Sequence, residues 1–320
     1  MIPFRKSSSV FVAGDQGFVG GAIRAELARL GFERVFPRDG VGPDLTSFPA
    51  VESFFLKHRP EYVFLVGGRS GGIGANQRYP ADLMIENLKV QCNVIECSRA
   101  RGVRKLLFLA SSCTYPRDCR QPMRPSHIMT GVLEPTNVAY ATAKIAGIVM
   151  CGACRQQFGA DFTAAIPATP FGPGDCFDIR DSHVVSALVR RMQEAKDAGQ
   201  PVVKIWGTGK PVRDFIFSAD LARACIHLMR KYDGDAPVNI GTGRGVSIAT
   251  LARTIAREVG YRGRIEFDRS KPDGMPRKTL DVSVLRKLGW RPAWSLREGL
   301  AETISWFREE RHRADRRADR

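Results

Sequence analysis

The sequence predicts an α/β protein: a doubly wound parallel sheet followed by a smaller lobe. Three observations carry this expectation. Short apolar runs rich in β-branched and aromatic residues alternate with helical patterns, a glycine-punctuated turn follows the first run, and the alternation loosens after about residue 167. The chain has 320 residues, 43% hydrophobic and 26% charged, with 31 Gly and 19 Pro. That composition suits a large buried core in about two domains and excludes a disordered or fibrous chain.

The elements follow in order. Residues 9–13, 35–36, 62–66 and 105–110 read as buried strands, the second ended by Pro37. Residues 19–30 put Val19, Ile23, Leu27 and Leu30 on one helical face, and 49–58, 81–101 and the segment from Tyr140 follow the same period. Pro167, Pro170, Gly172, Pro173 and Gly174 mark a loop-rich region where the second lobe begins, and helices are expected at 182–198, 219–231, 248–259 and 296–308. The expected division is 1–167 for the sheet domain and 168–307 mainly for the second lobe, with about 206–242 returning to the first domain. Residues 308–320 are expected to be a frayed, solvated basic tail.

Lys and Arg total 49 against 33 Asp and Glu, a net charge of +16, which admits phosphorylated ligands, nucleic acid or an anionic membrane. The 37 Arg and 12 Lys are spread along the chain, as readily a codon effect as a binding surface, so no nucleic-acid partner is expected. No apolar run reaches the roughly 18 residues of a membrane span, and Val10 to Ala13 is too short for a signal peptide. No membrane partner is expected, and eight cysteines then read as reduced thiols in a cytoplasmic protein. Cys151 and Cys154 form a C-x-x-C without a second pair, so buried thiols and no metal are expected.

Gly14, Gly17 and Gly20 form G-x-x-G-x-x-G between the first strand and the first helix, which opens on Phe18 and Val19. Glycines there allow a tight turn and close backbone approach, while the helix N-terminus offers free N–H groups to a pyrophosphate. The first domain is therefore read as a Rossmann-type dinucleotide-binding domain. After the second strand, Asp39 would bond a ribose hydroxyl and Arg38 would meet a 2′-phosphate, so both readings stand. Asp44 and Leu45 are placed to border the adenine, although an Asp beside Pro is commonly a turn residue.

Tyr140 and Lys144, four residues apart, share one helical face. An ammonium beside a phenol favours the phenolate, drawing its pKa down from about 10 and preparing proton transfer to a carbonyl. Ser111 and Ser112, at the tip of the strand ending LLFLASS, offer hydroxyls to the same oxygen. With Ser111, Tyr140 and Lys144 in these places, the sequence resembles the short-chain dehydrogenase/reductase superfamily in its extended form.

The resemblance narrows with SSCTYP at 111–116, YATAKIAG at 140–147, GGIGAN at 71–76, SHVVSALVRR at 182–191, WGTGKPVRDF at 206–215 and KPDGMPRK at 271–278. In order, these blocks are similar to the GDP-L-fucose synthase family, NADP(H)-dependent 3,5-epimerase/4-reductases of GDP-4-keto-6-deoxymannose. The resemblance implies Cys113 as base and His183 as acid from the opposite face. Carbons 3 and 5 flank the ketone, so donors that stabilise the reduced oxyanion also stabilise an enolate. It further implies that Arg191, Trp206, Arg213 and Asp273 hold the nucleotide sugar, that Asn239 to Gly243 ends a strand near it, and that two long helices, 81–101 and the one after Tyr140, pair in a homodimer.

The chain departs from the family pattern in places. Asp15 and Gln16 replace His-Arg after the first glycine, which weakens the case for a 2′-phosphate and leaves NAD(H) as an alternative to NADP(H). Val138 and Ala139 replace Glu-Pro before the tyrosine, and Thr169 and Pro170 replace Asn-Leu, removing a substrate-facing amide. A related 4-keto-hexose or a heptose therefore stands as an alternative sugar. Alternative functions are a plain 4-ketoreductase or 4-epimerase and, more remotely, a nonenzymatic dinucleotide sensor or nucleic-acid-binding derivative.

Overall fold

The computed structural model describes residues 4–38, 40–178 and 181–318, with side chains as far as Arg313. In the first half β1 (Ser9–Ala13), β2 (Arg34–Phe36), β3 (Tyr62–Leu65), β4 (Lys105–Leu109) and β5 (Phe162–Pro167) alternate with helices. These are α1 (Phe18–Arg29), α2 (Phe48–His58), α3 (Ile73–Arg78), α4 (Pro80–Ala100) and α5 (Val138–Phe158). The second half runs through β6 (Thr169–Phe171), α6 (Val184–Asp197), β7 (Val202–Trp206), β8 (Val212–Phe217), α7 (Ser218–Lys231) and β9 (Val238–Ile240). It ends with β10 (Gly245–Ser247), α8 (Ile248–Val259), β11 (Arg264–Asp268), β12 (Arg277–Lys278), α9 (Ser283–Lys287) and α10 (Leu296–Ala318).

The central sheet has six parallel strands in the order β2-β1-β3-β4-β5-β9. Strands buried on both faces are apolar along their whole length, and all residues of β1, β3, β4 and β5 are buried. The strand order reverses beside β1, which opens a crevice at the carboxyl ends of β1 and β3 where such sheets take their ligands. Beside it, α5 lies close on β4 because residue 147 is glycine: a Cβ there would come within 2.4 Å of the Phe108 ring. Gln91 of α4 donates to the Ala143 carbonyl at 2.7 Å and fixes the height of α5.

The second lobe has its own core, in which Val189 and Met192 of α6, Leu251 and Ile255 of α8 and Leu300 and Ile304 of α10 meet Phe215 and Phe217 of β8. Its small sheet places β8 between β10 and β12, with β6 also pairing β8, and β7 pairs β11 alone. The chain crosses back before the lobe is complete: α7 lies against α1, and β9 closes the main sheet beside β5. The strands of this lobe are two to six residues long and partly exposed, so their pattern carries little apolar periodicity, and the sequence reading did not find them.

Two expectations change. The tail does not fray at residue 308: helix α10 continues to Ala318. Arg308 donates to Gln193 Oε1 at 2.8 Å and the Val259 carbonyl at 3.0 Å, and Arg311 pairs with Asp197 at 2.7 Å. These contacts anchor the first turns of the segment on α6 and α8. Helix α5 is also long and apolar enough to cross a membrane by length and composition. It carries buried Lys144 and packs one face against α4 and β5, with a third of its apolar window buried.

A buried carboxylate joins the two lobes. Asp220 of α7 accepts from Ala293 N at 3.0 Å, Trp294 N at 2.9 Å and Arg223 at 2.8 Å, pinning the chain that leads into α10. Asp220→Ala orphans these donors and should destabilise the protein by about 3 kcal/mol. The check is the urea midpoint, and an unchanged midpoint contradicts the role given to Asp220.

Candidate active site

The phosphate-binding turn is built by steric necessity. Gly14 has φ +101°, and a Cβ there would lie 2.4 Å from Gly67 Cα; a Cβ on Gly20 would lie 2.0 Å from the Gly14 carbonyl oxygen. The first glycine thus lets the ends of β1 and β3 touch, and the third lets α1 begin against the turn. Gly17 caps α1 with no side-chain hydrogen bond, leaving the first backbone N–H groups for a ligand. A cradle that a methyl group would fill, at a helix N-terminus beside the strand-order reversal, fits a dinucleotide pyrophosphate. Phe18 stands half-buried at the helix start, and Val19 turns into the main core.

Asp15 is not the free repelling charge that its sequence position suggested. It is buried, and Arg24 of α1 pairs with it at 2.6 Å while also donating to the Pro37 carbonyl at 2.6 Å and the Arg38 carbonyl at 3.2 Å. The cation missing at residue 16 is answered by Arg24, about two helical turns further on, and Gln16 bonds Asp15 and the Gly40 carbonyl instead. Arg38 is exposed beside this junction, its guanidinium 5.6 Å from the Phe36 ring centre, and Asp39 lies outside the described residues. Asp44 serves its own turn by accepting from Thr46 N at 2.9 Å and Thr46 Oγ1 at 2.7 Å, whereas Leu45 borders Gly67 at the crevice.

Ser111 leaves the end of β4 and caps a short 3-10 turn, Ser112–Thr114, by accepting from Cys113 N at 3.2 Å. The opening turn of α5 brings Tyr140 near this hydroxyl, which acts to lower its pKa. Ser112 is buried behind it and lies off the carbonyl-facing set. Lys144, one turn further, is buried with Nζ 3.5 Å from the Leu109 carbonyl and 5.8 Å from the Tyr140 ring centre.

The acid–base balance differs from the simple expectation of a phenolate. Burial pushes Tyr140 well above its ordinary value, the neighbouring Cys113 adds to the rise, and the Ser111 hydroxyl opposes it. Burial lowers Lys144 to about 8. Desolvation disfavours both charges and outweighs the pull of an ammonium that stands beyond contact. Tyr140 is therefore a protonated donor at neutral pH.

Cys113 is driven the other way. Burial pushes its thiol up, but the Lys278 ammonium, the Ser111 hydroxyl and Arg213 outweigh burial and leave it below its ordinary value. Lys278 Nζ lies 3.3 Å and Asn137 Nδ2 3.2 Å from Sγ. Lys278 and Arg213 are register partners on β12 and β8, so the small sheet of the second lobe delivers both cations to the end of β4. Burial lowers Arg213, and Cys113, Glu134 and Asp273 support its charge.

His183 caps α6 and is brought in by a glycine pair. Gly72 N donates to the Asp181 carbonyl at 3.1 Å, and a Cβ on Gly72 would lie 2.5 Å from the Ser182 carbonyl oxygen, so only glycine lets the 181–183 segment rest on the 71–76 turn. His183 Nδ1 is 3.7 Å from Asp175 Oδ1. Asp175 is itself buried, accepting from Cys176 N at 2.8 Å and from Ser186 Oγ. The sequence reading missed Asn137, Lys278 and Asp175; the first two lie inside or beside quoted blocks, but no spacing links them to residue 113.

Of the residues expected to hold the nucleotide sugar, Arg213 lines the Cys113 side, Trp206 ends β7 with its ring 45% exposed, and Arg191 on α6 donates to the Lys204 carbonyl at 3.2 Å. The exposed Trp206 face suits stacking. Asp273 is half-buried and accepts from Thr208 N at 2.6 Å and Thr208 Oγ1 at 2.7 Å, clamping the 206–209 turn. The 239–243 segment is likewise structural. Buried Asn239 accepts from Tyr115 Oη at 2.5 Å and donates to the Met123 and Asp281 carbonyls, while Thr242 and Gly243 are held by Asp214.

Cys151 and Cys154 are buried on α5, and burial pushes both thiols up. Among the described residues no group of three or more His, Cys, Asp or Glu could hold a metal ion.

Comparison with known proteins agrees with this geometry. Residues 10–241 match the NAD dependent epimerase/dehydratase family. The chain is 47% identical over 302 residues to GDP-L-fucose synthase 1 of Arabidopsis thaliana, covering 94% of each, and 44% identical over 313 residues to GDP-L-fucose synthase of Escherichia coli strain K12, covering 95% of this chain and 98% of that one. Among solved structures, a GDP-6-OMe-4-keto-L-xylo-heptose reductase from C. jejuni superposes with a TM-score of 0.90 at 30% identity, covering 96% of this chain and 99% of that one. A GDP-L-fucose synthetase from Naegleria fowleri bound to NADP gives 0.87 at 25% identity, covering 97% of each.

The glycine cradle is open to a direct check. Gly20→Ala forces α1 away from β1, so NADPH affinity should fall at least roughly tenfold, about 1.4 kcal/mol, in a fluorescence titration. Wild-type affinity in that variant contradicts the placement of the pyrophosphate.

Proposed function

Because this chain belongs to the NAD dependent epimerase/dehydratase family, we propose that it is an NADP(H)-dependent epimerase/reductase acting on a GDP-4-keto-6-deoxymannose-type nucleotide sugar, with GDP-L-fucose or a close relative as product. The observation that carries this reading is the thiol of Cys113, with two nitrogen donors on its sulfur, beside the Ser111, Tyr140 and Lys144 set. A plain reductase has no need of such a sulfur. The GDP-L-fucose synthases at 44–47% identity support the sugar assignment.

The residues divide the work by charge and position. Gly14, Gly17 and Gly20 with the start of α1 hold the cofactor pyrophosphate, Leu45 borders the adenosine, and Arg38, beside the Arg24–Asp15 pair, meets the 2′-phosphate. When bound, the reduced nicotinamide supplies a hydride to C4. Ser111 and Tyr140 donate hydrogen bonds to the C4 ketone oxygen, which makes the hydrogens on C3 and C5 acidic. Cys113 takes a proton from each carbon in turn and His183 returns one from the opposite face, inverting the centre; between the two inversions the thiol gives its proton to solvent and His183 takes one up. Tyr140 then gives its proton to the C4 oxygen, and Lys144 behind it restores the phenol. Arg213 and Arg191 take the diphosphate through paired N–H donors, and Trp206 stacks on the base or ribose.

A second reading is favoured by one neighbour: the heptose reductase fold superposes at 0.90. With Thr169 and Pro170 at the β6 edge, a 4-keto-heptose is the competing sugar. We further assign a homodimer through α4 and α5, each of which carries an exposed apolar side chain, Ile85 and Val149. The eight cysteines form no disulfide, in keeping with a cytoplasmic enzyme.

Purified protein given GDP-4-keto-6-deoxymannose and NADPH should oxidise the cofactor and release GDP-L-fucose, identified by NMR. Cys113→Ser should cut that product about 100-fold or more. Turnover only with a 4-keto-heptose, or indifference to Cys113→Ser, would sink the assignment.

Lys144 also predicts a pH dependence. Its ammonium is present below about 8 and lost above it, because burial lowers it. The kcat of ketone reduction should fall as pH rises through about 8, and Lys144→Met should remove that limb with a loss of roughly 100-fold. A flat wild-type profile across that range would contradict the role of Lys144.

A further inference from the structure

We infer that Lys278 and Asn137 hold Cys113 as a thiolate before any sugar binds, which makes Lys278 a positioning residue of the proton-transfer steps. This rests on the reading of Cys113 as base. The geometry carries it: Sγ receives Nζ of Lys278 at 3.3 Å and Nδ2 of Asn137 at 3.2 Å. A neutral thiol is a weak acceptor with its own proton to place, so two nitrogen donors converging on it suit the anion. The Asn137 amide is oriented at its own expense, since its buried Oδ1 has no partner while its N–H faces sulfur. Had the sulfur kept its proton, the amide would gain by turning its oxygen toward the S–H. Among the described residues the Lys278 ammonium is directed to this sulfur rather than to a carboxylate.

The charged and titratable groups around Cys113, with the Ser111 hydroxyl, come from four elements. Lys278 of β12 and Arg213 of β8 favour the anion, Tyr140 of α5 meets it as a phenol, and the Ser111 hydroxyl at the end of β4 hydrogen-bonds it. Other buried thiols show the contrast: Cys225, with no cation beside it, is pushed up to about 12 by burial. Cys113 is a half-buried residue, whereas Cys225 is fully buried. In the step itself the sulfur lone pair forms S–H as the C–H bond beside the ketone breaks. The bonding pair becomes the enolate, the ketone oxygen takes the negative charge, and Lys278 keeps its proton throughout.

The test is alkylation of the full-length protein by iodoacetamide without sugar, followed peptide by peptide across the neutral pH range. Exposed Cys176, outside the helices assigned to the dimer, is the internal reference. Wild-type Cys113 should react with a midpoint below that of an ordinary thiol at about 8.5. Lys278→Met should move the midpoint to higher pH and cut Cys113 alkylation near neutrality roughly tenfold, Lys278→Arg should restore it, and the Cys176 profile should not move. Asn137→Asp, which sets a carboxylate beside the sulfur, should shift it the same way if Lys278→Met does not fold. An ordinary midpoint in the wild type, or no shift in either variant, overturns the inference. The assay needs no turnover, so failure to process the GDP-sugar would sink the proposed function while leaving the thiolate to be judged by its own result.

Discussion

Loss of water at the meeting of β4, α5 and the small sheet of the second lobe is the constraint on which the chemistry depends. The same dehydration acts on three neighbouring groups with different results. It holds Tyr140 protonated, brings Lys144 down to about 8, and would raise Cys113 too if the second lobe did not set Lys278 and Arg213 against the sulfur. Environments that push titratable groups apart assign them as acid and base. On the proposed function, the phenol would be the donor to the sugar oxygen and the thiol the base. Neither lobe provides this alone, because the sulfur comes from one and the cations from the other.

The scaffold keeps these groups in place with buried polar side chains that do no chemistry themselves. Asp214 fastens the turn after β9 to β8, and Asn239 ties Tyr115, just beyond Cys113, to the carbonyls of Met123 and Asp281. Asp273 fixes the turn that carries Trp206. Each satisfies several donors or acceptors in the interior, and such satisfied networks hold one arrangement of loops against others. Glycines at 14, 20, 72 and 147 do the complementary task of letting backbones and rings approach where a Cβ has no room.

Much of the sheet domain was legible because its signals are local. Buried parallel strands are apolar throughout, and β1, β3 and β4 were found within a residue of their ends. The glycine turn and the Tyr140–Lys144 spacing are read from a few adjacent residues. In the second lobe the helices at 182–198, 248–259 and 296–308 were legible from their period, but the short strands were not, since they lie in loops and their pairing is settled by tertiary contact. The same reason hid Lys278, 165 residues from the thiol it touches. Asp15 was misread for a related cause: its charge is decided by Arg24, nine residues away on the next element. Asp273 was assigned to the ligand from its motif, and its carboxylate also accepts from Thr208; residues 239–243 were read as a strand end near the substrate, and Asn239 bonds Tyr115 and two backbone carbonyls there.

The central claim is that one set of oxyanion donors, Ser111 and Tyr140, serves both carbon acidity and hydride transfer. Solvent deuterium entering C3 and C5 of the keto sugar, followed by mass spectrometry in Ser111→Ala alongside NADPH oxidation, tests it most directly. The account predicts that both rates fall together, by a similar factor. Reduction lost while deuterium enters at the wild-type rate would show that enolisation uses a different site, and the shared pocket would have to be abandoned.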